Sequence, residues 1–479
     1  MDIKLERLDE YRWIIPKSGD MRVPGLIFSN SELIRAVRED QSLVQVRNVA
    51  TLPGIVGYAL AMPDIHWGYG FPIGGVAAFK IDEGVVSPGG VGYDINCGCR
   101  LMTTALEAHE IRPRIKEIIS ALFNNIPSGV GSTGPLKLSK KEEQKVARKG
   151  AAWAIENGFG EPEDLERTED YGTMPGADPS VLSERALKRG MDQLGTLGSG
   201  NHFLEIQVVE KIYDEAVASA FHLFEGQITV FIHSGSRGFG HQICDDFLKE
   251  MARRTNEQEF QLPDRQLACA HLTSDLGRRY LAAMACAANY AWANRQILMH
   301  WARETLMKVL SISPGELRMN LLYDVCHNIA KIEDHTVDGK KITVCVHRKG
   351  ATRALPKGHQ LLPKLYSHVG QPVLIPGDMG TESYVLVGSE AALDQSFASS
   401  CHGAGRVLSR SQAIKRAKGR SINRELEDKG IFVQSRGKKT LKEEMPEAYK
   451  DVSQVVDVVH RAGLATKVAR LIPLGAIKG

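Results

Sequence analysis

The sequence predicts a mixed α+β fold, on three observations. Short runs rich in β-branched residues are interleaved with stretches of helical periodicity. Neither a regular βαβ alternation nor an internal repeat is visible. Candidate ligands for one site lie on both sides of the least regular segment, so a chain of 479 residues must build that site from interdependent elements. With 43% hydrophobic residues it can bury one large core or two ordinary ones.

In chain order, the start MDIKLERLDEYRW has no apolar signal core, so no secretion signal is expected. IGGVAAF (73–79) reads as a buried strand, and 114–124 and 141–156 have helical spacing. Residues 157–179, rich in Gly, Pro, Asp and Glu, read as an acidic exposed connection or insertion rather than a domain boundary. ITVFIH (228–233) is a strand and 244–255 a helix. The most apolar long stretch, 280–310, is helical over 280–309 and broken by Arg295, Arg303 and Lys308, which excludes a membrane span. LLYDVC (321–326), ITVCVH (342–347), PVLIPG (372–377) and YVLVG (384–388) are further strands. Between 406 and 424 lie seven Lys/Arg residues and no acid, with Val407, Leu408 and Ile414 spaced as on a helix whose other face is basic. Such a run is a solvated face or a track for a nucleic-acid backbone, and its lack of aromatic residues gives no support for base stacking there. The formal charge of +3 makes any nucleic-acid surface local. Eight cysteines lack a spaced framework, which suggests reduced thiols and a cytoplasmic setting; Cys269, Cys286 and Cys345 lie in apolar runs as small core residues.

Chemistry concentrates in five glycine-rich or strand-end segments: GGVGYDINCGCR, GSGNHFLE, FIHSGSRGFGH, YDVCHN and CHGAGR. Asp94, Cys97, His202, His233 and His327 are candidate ligands for one or two divalent metals, with His402 a candidate nucleophile beside them. Glycine lets backbone approach a ligand and present N–H groups to phosphate oxygens. Any one of these histidines alone is as well explained by an ordinary core or loop position; the set points to phosphoryl chemistry at a metal centre. Thiolate and imidazole suit zinc, while the carboxylate leaves room for manganese, iron or cobalt. Cys99 is expected to point away from Cys97. Arg237 in SGSRGFGH, and Arg348, Lys349 and Arg353 in HRKGATRA, are expected to meet phosphate oxygens.

MPDIHWGYGFPIGG, GGVGYDINCGCR, GSGNHFLE, HSGSRGFGHQ, HRKGATRA, CHGAGR and the terminal PLGAIKG together resemble the RtcB family of RNA-splicing ligases, in the family's order from about Pro53 to the last residues. The resemblance implies a single RtcB-like domain over 1–479 with central β-sheets flanked by helices. It implies joining of an RNA 3′-phosphate or 2′,3′-cyclic phosphate to a 5′-hydroxyl, with GTP as cosubstrate and two Mn2+ ions, on ends such as tRNA halves. Archease, a small activating protein, is an implied partner, and no membrane is. Asp94, Cys97 and His202 would hold one ion and Cys97, His233 and His327 the other. His402 would carry GMP. Asn201, His202, Phe203, Leu204, Glu205, His327, Asn328, Pro376, Gly377, Asp378, Met379, Ser383, His402, Gly403, Ala404, Gly405 and Lys478 would line the guanylate pocket. Asp378 stands where many relatives have a small hydroxyl residue, and could accept hydrogen bonds from guanine or alter the pocket. Asp64 and His66 would assist phosphate hydrolysis or metal positioning. Two other classes share parts of this pattern: a metal-dependent phosphodiesterase or phosphatase without a covalent histidine, and a non-catalytic RNA-binding subunit.

Overall fold

The computed structural model describes residues 3–254 and 260–479. Two large sheets flanked by helices carry an α+β architecture. One runs in the order Glu6–Arg7, Arg12–Ile15, Gly25–Phe28, Ile55–His66, Ile73–Lys80, Lys340–Lys349, Asn328–Val337. The other runs Asn320–Cys326, Gly98–Glu107, Gln227–Ser234, Phe203–Ile212, Ala465–Lys478, Ser383–Gly388, Pro372–Ile375, with Phe432–Ser435 paired in parallel to Ala465–Lys478.

Five of the six runs expected to be strands fall within strands and the sixth, 372–377, is a strand only over Pro372–Ile375, with Pro376 and Gly377 in the turn that follows; both faces of each sheet are covered and β-branched side chains fill them. The second sheet shows the period of two clearly. Leu204, Ile206 and Val208 pack with Ile118, Leu122 and Leu298 on the helical side, while Phe203 and Val209 pack with Phe231 and Tyr366 on the opposite side. Helix Asp275–Leu310 is about 54 Å long at 1.5 Å per residue. It is buried on most of its circumference and packs against Ile115–Asn125, Lys140–Lys149, Ala151–Glu156 and Arg237–Arg253.

Three further expectations need adjustment. The helix expected over 141–156 is two helices, divided at Gly150 (φ +59°), where a Cβ would collide with the Gly172 carbonyl. The helix expected over 244–255 begins at Arg237 and runs to Arg253; Thr255 lies outside the described residues. Residues 157–179 are not an exposed connection throughout. Thr168 and Glu169 are fully buried, and Glu169 accepts the Cys326 backbone N–H (2.8 Å) and pairs with Lys331 (2.5 Å). Glu169 and Asp170 answer the buried cations Lys331 and Arg353, while Glu161, Glu163 and Glu166 are exposed. Among the described residues no helix is long and apolar enough to cross a membrane. All eight cysteines are free and buried.

The site lies where the two sheets meet. Asn320–Cys326 closes one edge of the second sheet and Asn328–Val337 one edge of the first, so His327 is the residue at which the chain crosses between them.

Candidate active site

Strand ends deliver the ligand candidates. Cys99 pairs with His233, and His233 with Phe203, so Cys97 and His202, which lie just before these strands, come level with His233. Cys326 pairs with Gly98 and brings His327 to the same end. Asp94 occupies the turn after the short helix Pro88–Val91, beside Gly235, where a Cβ would stand 2.6 Å from the Asp94 carboxyl carbon.

Five donor atoms form one file. His327 Nε2 lies 3.3 Å from His233 Nε2, which lies 3.2 Å from Cys97 Sγ. Cys97 Sγ is 3.3 Å from His202 Nε2, and that nitrogen is 2.8 Å from an Asp94 oxygen. Two groups of three ligands result, Cys97–His233–His327 and Asp94–Cys97–His202, which share Cys97. Donors held ~2.1–2.3 Å from one ion stand roughly 3.4–3.7 Å apart in a tetrahedron, close to these separations. Cys99, paired with His233 in the strand register, packs in the core with Leu101, Phe231 and Tyr323 and belongs to neither ligand group.

Protonation favours ligation. Burial pushes His233 and His327 well below the usual imidazole range, so both are neutral. Burial and the neighbouring Asp94 push the Cys97 thiol up, so its proton leaves only in exchange for another cation. Burial raises Asp94, but His202 and Arg237 outweigh it and hold the carboxyl well below its usual range. His202 Nδ1 lies 3.0 Å from the Leu197 carbonyl and 3.0 Å from Arg237 Nη1, and its Nε2 faces Cys97 and Asp94. A thiol, a carboxylate and imidazole nitrogens converging in a buried cluster fit a cation, and this donor set accommodates zinc, manganese, iron or cobalt.

Beneath the cluster Arg295, from the long helix, is fully buried. It donates to the Asn96 carbonyl (2.7 Å), the Ser234 carbonyl (3.0 Å) and both oxygens of Asp324 (2.7 and 2.8 Å). It therefore fixes the backbone beside Cys97 and beside His233 at once. Arg100 completes the arrangement on Asp324 (2.7 Å).

A cavity of about 360 Å³ opens over this cluster. His402 follows strand Ser399–Cys401 and enters it, its ring 4.9 Å from that of His327. One oxygen of the fully buried Asp64 accepts both the His402 Nδ1–H (2.5 Å) and its backbone N–H (3.0 Å). This fixes the tautomer and leaves Nε2 free. Gly405 (φ +74°) packs so tightly on the Asp64 carbonyl that a Cβ would clash. His66, which burial lowers to about 3, also lines the cavity.

Residues 45–479 match the family described as tRNA-splicing ligase RtcB. The chain belongs to that family. A tRNA-splicing ligase RtcB of Archaeoglobus fulgidus is 54% identical over 477 residues, 99% of each chain. That of Thermococcus kodakarensis is 52% identical over 478 residues, 100% of this chain and 99% of the relative. An RNA-splicing ligase RtcB of Mycobacterium tuberculosis is 52% identical over 439 residues, 91% of this chain and all of the relative.

Of the residues that the RtcB resemblance assigned to the guanylate pocket, Asn201, Phe203, His327, Asn328, Pro376, Gly377, Asp378, His402, Gly403, Ala404, Gly405 and Lys478 line the cavity. Asn328 also ties two turns together, donating to the Asp94 carbonyl (3.1 Å) and accepting from Gly350 N–H (2.9 Å). Four others stand behind the wall. Leu204 turns into the helical layer because strand alternation sends it there, and Met379 is in a core cluster. Ser383 Oγ accepts the Gly377 N–H (3.2 Å) and so shapes the 376–379 turn. Glu205 is buried near Lys478; burial pushes it up to about 8, against the pull of the Lys478 charge. His202 belongs to the metal cluster rather than the cavity wall. Burial likewise raises Asp378 to about 6 and lowers Lys478.

The phosphate loops differ from expectation. HRKGATRA forms strands Lys340–Lys349 and Ala351–Arg353. Arg348 is fully buried in a two-point pair with Glu333 (2.7 and 2.8 Å), and Arg353 pairs with Asp170 (3.0 Å) and Glu169 (3.4 Å). Neither is free to meet RNA. Lys349 does line the cavity, where it donates to the carbonyls of Tyr69 and Phe71 (3.0 Å for the latter) and burial lowers it to about 7. Arg237 lies against His202 and Gly198. In the basic run, helices Arg410–Arg416 and Ile422–Asp428 replace one continuous helix, and Arg406 pairs with Glu444 (2.9 Å). The sequence reading missed Tyr69, Tyr93, Arg410 and Tyr449, which also line the cavity. Tyr449 lies in EAYKDV, where no glycine marks a site.

Proposed function

We propose that this chain joins RNA ends, a 3′-phosphate or 2′,3′-cyclic phosphate to a 5′-hydroxyl, with GTP as cosubstrate and tRNA halves among its substrates. The observation that carries the reading is His402: Asp64 holds its Nδ1, and its free Nε2 enters a cavity beside two ligand groups that share Cys97.

In this reading Asp94, Cys97 and His202 would hold one divalent ion and Cys97, His233 and His327 a second. Manganese is the ion the family resemblance implies, and the ions would supply charge neutralisation on phosphate and a lowered pKa for a bound water or hydroxyl. His402 Nε2 attacks the α-phosphorus of GTP, a P–N bond forms, and pyrophosphate leaves with the electron pair of the broken P–O bond. Asp64 stabilises the positive charge that develops on the ring. An oxygen of the RNA 3′-phosphate then attacks the same phosphorus, and the P–N electron pair returns to His402. The product is a phosphoanhydride, which solves the central difficulty: oxide is a very poor leaving group, and GMP is a good one. The 5′-hydroxyl oxygen attacks the RNA phosphorus, GMP departs, and the hydroxyl proton is lost. A cyclic end first takes up water to give the 3′-phosphate. Asp378 and Lys478 supply an acceptor and a donor for guanine, with Glu205 behind the wall near Lys478, and Arg410 and Tyr449 line the same cavity.

Incubation with α-labelled GTP and Mn2+, followed by denaturing electrophoresis, tests the reading. The expected label on the protein is acid-labile and alkali-stable, and absent in His402→Ala. That variant should still join RNA already activated with a 3′-terminal guanylate. Undiminished labelling of His402→Ala would overturn the assignment, and RNA phosphate hydrolysis without labelling of the unaltered protein would favour a metal-dependent phosphodiesterase.

A further inference from the structure

Trp67 has a side chain at odds with its backbone. At 62% exposure it is, among the described residues, the most exposed large apolar residue after Val130, while the other four tryptophans are buried or half-buried. Yet the turn that bears it is pinned. The Trp67 N–H donates to Asp40 (2.9 Å), Gln45 bonds both the N–H (3.1 Å) and the carbonyl (2.7 Å) of Gly68, and Gly70 N–H donates to Gln266 (3.0 Å). A large ring held out by a fixed backbone loses little freedom when something packs on it. This ring also leads somewhere. Its neighbour His66 lines the cavity, as does Tyr69, whose ring meets that of Tyr93 edge-on at 5.7 Å. Tyr93 directly precedes Asp94 and lies 4.8 Å from the His241 ring. An exposed ring thus stands next in sequence to a cavity whose lining carries Tyr69 and Tyr93 as far as the ligand cluster.

We propose that Trp67, beside the cavity that Tyr69 and Tyr93 line, stacks a nucleobase of the RNA flanking the junction, a subsite that rests on the RNA-joining reading above. Unpaired bases near an RNA end are splayed and offer flat π-faces of every sequence, and aromatic rings on a rigid surface are what recognises them. Phosphate contacts alone would not use such rings. The subsite predicts tolerance of base identity but a demand for a base.

The test uses the full chain with GTP and Mn2+. Trp67→Ala should raise KM for RNA about tenfold, the scale of one lost stacking contact, and leave GMP labelling of the protein unchanged. Trp67→Phe should restore most of the loss. RNA with an abasic nucleotide near the 3′-phosphate, or near the 5′-hydroxyl in a second arm, should bind the unaltered protein more weakly, and in the responsive arm Trp67→Ala should add no further loss. Quenching of Trp67 emission by 3′-phosphate RNA, judged against Trp67→Phe, reads the contact without catalysis. An unchanged KM in Trp67→Ala, or an equal further loss with abasic RNA in both arms, overturns the proposal. Absence of GMP labelling in the unaltered protein would instead refute the ligase reading, while the emission change would still report on the subsite.

Discussion

Replacing Asp64 by asparagine isolates the charge in the Asp64–His402 pair. The carboxylate is fully buried, and one oxygen accepts both Nδ1–H and the backbone N–H of His402. An amide keeps the size and one acceptor but loses the charge that would answer the imidazolium in the proposed attack on GTP. A hydrogen bond to a charged group contributes about 1.5–3 kcal/mol and a neutral one ~0.5–1.5 kcal/mol. The difference of roughly 1–1.5 kcal/mol corresponds to a loss of about 5- to 15-fold in guanylylation rate at fixed geometry. If the amide turned its NH2 toward Nδ1, the ring would carry its proton on Nε2 and could not attack; the equivalent change in a serine-protease triad costs about 10⁴-fold. The backbone N–H of His402 needs an acceptor on that same side, which favours the oxygen-facing rotamer and the smaller loss. Single-turnover labelling with α-labelled GTP measures the step. Joining of RNA already bearing a 3′-guanylate bypasses it and should be little changed. Wild-type labelling in Asp64→Asn, or an equal slowing of the pre-activated reaction, would refute the argument that Asp64 acts through the nucleophile.

Cys97→Ala should abolish Mn2+ binding measured by calorimetry, because its sulfur is common to both ligand groups, whereas Cys99→Ala should bind normally; equal loss in two folded variants would contradict this. Arg295→Met leaves Asp324 with only part of its partners and should cost about 3–5 kcal/mol in urea unfolding, as does breaking a buried pair. It should also weaken Mn2+ binding in the folded protein, since the backbone beside Cys97 and His233 loses its anchor; unchanged Mn2+ affinity would restrict Arg295 to stability. Asp378, raised to about 6, is protonated below that pH and above it offers a carboxylate to the guanine proposed for this cavity. Guanosine affinity should therefore rise as pH increases through 6, by up to about tenfold per unit on the acid side, and level off above; Asp378→Asn should flatten the profile, and a flat profile in the unaltered protein would exclude the carboxylate from guanine binding. Arg353→Met should cost about 3–5 kcal/mol through its buried acids and leave the salt slope of RNA binding unaltered; a reduced slope would restore it to the RNA surface.

The sequence made the donor set legible because glycine-rich turns and strand ends mark where backbone is opened for a ligand, and Asp94, Cys97, His202, His233 and His327 all stand there. It also exposed the strands, since short apolar β-branched runs such as ITVFIH fit a buried strand better than a helix. What it hid are the supports. Arg295 reads in sequence as an interruption of an apolar helix, and it becomes the anchor of two ligand turns only because Asn96, 199 positions away, offers its carbonyl. The same reasoning explains why Arg348 and Arg353 read as phosphate-binding side chains. A basic residue beside glycine looks solvated until the acid that answers it is known, and here those acids, Glu169, Asp170 and Glu333, come from a segment read as exposed and from a neighbouring strand. A buried cation and its distant acid are legible only together: reading Glu169 and Asp170 as exposed and Arg353 as a phosphate ligand is one error, made once on each side of the same ion pairs.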